Sequence, residues 1–136
     1  MLDLAQSNHA HIDQRLRENT ICWLSSVRPD GHPHIVAVWF LWDGKDILIF
    51  SKPSNQKIRN LRQNPHVMLA LDDTRQGADV IMLEGEAELL DDPAVNTTLP
   101  AYVAKYRARM ARIGYTPETM AKSYSQAIRI TPTKVY

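Results

Sequence analysis

Residues 34–42, His-Ile-Val-Ala-Val-Trp-Phe-Leu-Trp, are apolar on both sides of an extended chain. Side chains alternate across a strand. Ile35, Ala37, Trp39 and Leu41 therefore face one way, and Val36, Val38, Phe40 and Trp42 the other. Antiparallel strands commonly keep one face for water, but this one requires cover on both. One face can fill a small barrel. A partner subunit or a flat aromatic ligand would cover the second, which predicts a homodimer with Val36, Val38, Phe40 and Trp42 at the contact and a ligand near it.

The surrounding pattern is that of short antiparallel strands. Pro29-Asp30-Gly31 separates an apolar run at 20–27 from the 34–42 strand, and Asp43-Gly44 separates that strand from another at 46–51. An Asp-Gly pair between apolar runs is a strong hairpin signal. Residues 67–71 return as a strand. Residues 80–90 alternate cleanly, with Ile81, Leu83, Gly85, Ala87 and Leu89 on a dry face and Met82, Glu84, Glu86 and Glu88 on a wet one. A final strand spans 127–135. Helices are predicted within 2–19, at 54–64, along the stripe Val95, Leu99, Tyr102, Val103, Tyr106 and Met110, and after Thr116-Pro117. Six strands with few helices, joined by hairpins and one helical crossover, predict a mainly β fold, a small closed or split barrel.

Residues 50–67 carry the most specific chemical signal. A strand ends at Phe50, a polar turn broken by Pro53 follows, and an amphipathic helix opens beside Ser51, Lys52, Ser54 and Lys57. The first turn of a helix presents unpaired N–H groups and the positive end of the dipole, which suits an anion. The segment reads as a phosphate cradle for a phosphorylated cofactor. Its rival reading is an N-cap with a solvated lysine.

A chain of 136 residues is expected to form one domain, 1–136. Sixteen Lys and Arg against fifteen Asp and Glu leave no global field to recruit nucleic acid or a membrane. The single cysteine, Cys22, allows no internal disulfide and no zinc spacing. With no apolar run of spanning length and no leader pattern, the expectation is a cytoplasmic protein.

In order along the chain stand Gly31-x-Pro33, Trp39-Phe40, a hairpin, Ser51, Lys57-x-x-Asn60-Leu61-x-x-Asn64-Pro65-x-Val67, and Leu83-Glu84-Gly85-Glu86-Ala87. This order, with the closing stretch from Arg129 to Val135, resembles the pyridoxamine 5′-phosphate oxidase-like flavin-binding split barrels. It is most similar to their branch of deazaflavin-dependent enzymes. The resemblance implies a six-stranded antiparallel Greek-key split barrel that dimerises and holds FMN or the deazaflavin coenzyme F-420 between subunits. It further implies that Val36, Ala37, Val38 and Trp39 border the cofactor ring, and that Ser51, Lys52, Gln56 and Lys57 approach its phosphate. The oxidase proper has an arginine where Gln56 stands and basic residues on the strand matching 35–40. A counterpart of its C-terminal substrate-recognition segment is not found before Tyr136. Oxidation of pyridoxamine phosphate is therefore not the expected activity.

Other features have plain structural readings. His32 and His34 could share a strand face as metal ligands, but no third ligand lies at a matching spacing. Glu84, Glu86 and Glu88 read as a wet strand face, Cys22 as core, and the Tyr102–Tyr106 pair as helix packing, with contact to a substrate as the alternative. Neither a Gly-x-Gly-x-x-Gly fingerprint nor a phosphate-binding Gly-Lys-Ser/Thr loop is present. Two functions follow. One is a flavin- or deazaflavin-dependent oxidoreductase moving a hydride to or from a small planar substrate, for which the cofactor supplies the reactive atom. The other is a non-catalytic barrel that stores, shields or senses a flavin or a tetrapyrrole.

Overall fold

The computed structural model describes Leu2 and residues 7–136; the predicted first helix falls partly outside them. Its described part is α1, Ser7–Glu18. There follow β1 (Cys22–Val27), β2 (Pro33–Val38), β3 (Leu41–Trp42), β4 (Ile47–Ser51), α2 (Gln56–Gln63), β5 (His66–Leu71), β6 (Ile81–Leu90), α3 (Pro100–Arg112), α4 (Pro117–Ser123) and β7 (Gln126–Val135). The strands form one antiparallel sheet in the order β2-β1-β5-β6-β7-β4-β3.

The described sheet has seven strands, where the sequence predicts six. The continuous strand predicted over 34–42 is broken at residues 39–40 into β2 and β3, which lie at opposite ends of the sheet order. Three peptide steps separate Val38 from Leu41, a reach of about 11 Å at full extension. The two edges must therefore approach one another, and the sheet curls into a barrel split along that seam.

At the seam, side chains replace the missing ladder. The Tyr106 phenol accepts the Phe40 N–H at 2.8 Å and lies 2.8 Å from the Thr20 carbonyl oxygen and 2.9 Å from that of Phe40. Its single proton serves one carbonyl at a time. The Lys105 ammonium also donates to the Phe40 carbonyl at 2.8 Å and sits 4.0 Å from the Phe40 ring centroid.

The alternation predicted for 34–42 survives the break. Val38, Phe40 and Trp42 are buried in the barrel interior, with Val36 packed against them. This corrects the dimer face given above: those four side chains are consumed by the chain's own core. The exposed positions are on the opposite face, at Ile35 and Ala37, while Trp39 and Leu41 pack under the helices.

Helix α2 closes one end of the barrel. Ile58 and Leu61, on the face predicted to be apolar, enter the interior beside β1 and β6. Each such burial stabilises by about 1.5–3 kcal/mol. The helix begins one residue later than its hydroxyl suggests, since Asn55 rather than Ser54 is the N-cap. Helices α3 and α4 cover the outside of β3, β4 and β7, where Tyr102, Tyr106, Met110 and Met120 join Phe50 and Ala127 in a second core. Thr116 caps α4 reciprocally with Thr119. Among the described residues no helix is long and apolar enough to cross a membrane.

Candidate functional site

A cleft of about 250 Å³ lies between the seam end of β2, the start of α2 and the α3–α4 pair. Ala37, Val38 and Trp39 form one wall. Phe50, Tyr102, Ile113, Met120 and Tyr124 form the other, and Lys57 enters from α2. Trp39 is held by stacking on Tyr106, with centroids 4.7 Å apart and planes 2° from parallel. Because Tyr106 also fixes the Phe40 backbone, the strand wall is anchored from behind.

Lys57 occupies the second position of α2 and is only 9 % exposed. Among the described residues it has no hydrogen-bond or ion-pair partner, and burial pulls its pKa down. A cation at a helix N-terminus is disfavoured by the dipole, and burial without a counterion costs more. Asn55 makes no side-chain cap, so the first-turn N–H groups also lack a side-chain acceptor. Both features suit an anion at this point.

Four of the eight residues implied by the resemblance, Ala37, Val38, Trp39 and Lys57, line this cleft. Lys52 stands at its edge, its ammonium 5.5 Å from the centroid of the Tyr124 ring. Val36, Ser51 and Gln56 are not in the lining. Val36 packs toward the barrel interior. Ser51 is fully buried and donates to the Lys52 carbonyl at 2.9 Å. Gln56 donates to the Asn60 side chain at 2.8 Å and accepts from Arg59 at 2.6 Å, and Asn60 in turn donates to Ser26 at 3.0 Å. Gln56 thus belongs to a polar chain tying α2 to β1.

The second wall is where sequence reading falls short. Tyr102 sits on a helical stripe and reads as core, which it partly is: its ring meets Phe50 edge-on at 4.9 Å. Yet it lines the cleft too. Ile113, Met120 and Tyr124 carry no motif, and only the return of α3 and α4 across β4 brings them there.

A curled antiparallel sheet split at one seam, with a cleft between the seam strand and a helix start, defines a split-barrel protein. The family model described as pyridoxamine 5′-phosphate oxidase matches residues 9–136, and the chain belongs to that family. Among solved structures the chain is similar to an F420 reductase, with 26 % identity and a TM-score of 0.68 over 91 % of this chain and 94 % of that one. It is also similar to a conserved hypothetical protein from Mycobacterium tuberculosis, with 25 % identity and a TM-score of 0.75 over 93 % and 81 %. HutZ, the heme storage protein from Vibrio cholerae, shares the fold at 13 % identity, with a TM-score of 0.64 over 96 % and 92 %. No curated protein matches the chain by sequence.

Proposed function

We propose that the protein is a flavin- or deazaflavin-dependent oxidoreductase, working as a homodimer on a small planar substrate. The observation that carries this reading is Lys57, a largely buried lysine with no partner among the described residues, which sits at a helix N-terminus and opens into a cleft walled by aromatic side chains. In this reading Lys57 and the first-turn N–H groups of α2 hold the cofactor's phosphate. Ala37, Val38 and Trp39 border its ring, and Lys52 adds charge at the edge. The cofactor, FMN or coenzyme F-420, supplies hydride transfer when bound. The protein supplies orientation and a water-poor wall, so the lack of a carboxylate or imidazole in the lining is no obstacle. The likeness to the F420 reductase favours the deazaflavin.

The dimer rests on an uncovered sheet face. Cross-strand register sets Ala37, Trp23, Ala70 and Met82 in one row across β2, β1, β5 and β6. Trp23 is 50 % exposed and Ile35, one row along, 59 %. Ala37 belongs to both this patch and the cleft, so a second copy seated here would border the ligand.

Purification with the bound chromophore intact, followed by absorbance, mass measurement and one cycle of reduction and reoxidation, tests the proposal. A bound flavin or deazaflavin that is reduced and then reoxidised by an organic acceptor supports it. A bound ring that never turns over would favour storage or sensing, and a bound tetrapyrrole would replace the cofactor assignment.

A further inference from the structure

The geometry points to Tyr102 as the specificity-determining hydrogen-bond donor of the cleft, directed to a ring carbonyl or another neutral acceptor on the planar part of an anionic ligand. The inference rests on the reading that a phosphorylated planar ligand occupies this cleft.

Tyr102 is 2 % exposed and lines the cleft, yet its hydroxyl finds no hydrogen-bond partner among the described residues. Among the described residues the buried polar atoms left unpaired belong to Arg15, His34 and Asp46, so the Tyr102 hydroxyl meets the open space of the cleft and is free to bond there. The neighbouring tyrosine shows the contrast: Tyr106, equally buried and one turn further along α3, is fully engaged at the seam. Packing does not explain the Tyr102 hydroxyl, since a phenylalanine would keep the ring contacts with Phe50 and Tyr106.

Burial raises the phenol's pKa, so it stays protonated across the physiological range and is available as a donor. The rest of the lining points the same way. Lys57 and the Trp39 indole can only donate, and no carboxylate, amide or imidazole is among the lining residues. With only the phenol oxygens of Tyr102 and Tyr124 able to accept among these side chains, such a cleft favours ligands rich in acceptors. Lys57 would take the anionic end and Tyr102 the uncharged ring.

The test compares the wild type, Tyr102→Phe and Lys57→Ala as intact chains titrated with FMN and with riboflavin, which has the same ring without the phosphate. Tyr102→Phe is expected to weaken both ligands alike, by about two- to tenfold, as for loss of one neutral hydrogen bond. It should make bound FMN harder to reduce, because a donor to the ring stabilises the charge gained. Without ligand it should melt no lower than wild type, which a structural hydroxyl would not allow. Lys57→Ala should weaken FMN and leave riboflavin unchanged. Wild-type affinity for both flavins and an unchanged potential in Tyr102→Phe would overturn the role of Tyr102 while leaving the phosphate cradle standing. Failure of the wild type to bind FMN, riboflavin or coenzyme F-420 would overturn both.

Discussion

The hydroxyl of Tyr106 stands 2.8 Å from the backbone nitrogen of Phe40, 66 residues away in sequence, and takes the place of a strand partner where the barrel is split. Removing it strands a buried N–H and loosens the seam behind Trp39. Tyr106→Phe should destabilise the protein by about 1–3 kcal/mol, the cost of a buried donor left unpaired. Urea unfolding of the two proteins measures this, and equal midpoints would show that the seam is held otherwise.

Lys105 also serves the seam, and burial lowers its pKa from 10.5 to about 8. A lysine whose folded pKa lies below its unfolded value contributes stability present above the unfolded value and lost as pH falls through the folded one. Between pH 10.5 and about 8 the wild type should lose stability relative to Lys105→Met. Because Cys22 and Lys105 shift one another, both proteins are made in a Cys22→Ala background, and their difference then isolates Lys105 from the contribution of Tyr102. Unfolding free energies at several pH values check the slope; a flat difference would refute the assignment.

Much of this fold is legible in the sequence where local chemistry is decisive. Asp30-Gly31 and Asp43-Gly44 mark hairpins, and both glycines adopt positive φ, at 87° and 94°. The alternation along β6 and the apolar face of α2 hold. The break at Trp39–Phe40 is invisible because neither residue disfavours a strand; it is imposed by Tyr106 and by curling of the sheet. For the same reason the sequence does not tell which face of 34–42 is left for a partner: which side a barrel encloses is a tertiary fact. At the cleft, the position of Lys57 in the first turn of α2 is legible in the sequence. Tyr102 and Tyr124 arrive through packing that no local pattern encodes.

Gly85 tests the barrel's closest approach. A β-carbon there would lie 2.7 Å from Cγ2 of Ile130 and 3.0 Å from the Thr131 carbonyl oxygen, beside a register shift between Glu84 and Gly85. Ile130 is fully buried and has little room to yield. Gly85→Ala should cost about 1–3 kcal/mol, as other overpacked cores do. Thermal melts at matched concentration would show it, and an unchanged midpoint would mean that the β6–β7 ladder gives way freely.

The proposed dimer predicts that Trp23→Glu separates the subunits, since a carboxylate would be buried in the contact without a partner. Trp23 is half exposed within one chain, so the monomer should still fold. Light scattering with circular dichroism distinguishes the outcomes. A folded dimer in that variant would place the interface elsewhere.

The central claim is that the start of α2 holds a phosphate through Lys57, and calorimetric titration of FMN and coenzyme F-420 into the wild type and Lys57→Ala tests it most directly. A charge-assisted hydrogen bond contributes about 1.5–3 kcal/mol, so the substitution should weaken the preferred cofactor by about ten- to a hundredfold. The ligand-free protein should lose no stability, because Lys57 is largely buried with no partner among the described residues. Equal affinities in the two proteins, for both cofactors, would contradict the account.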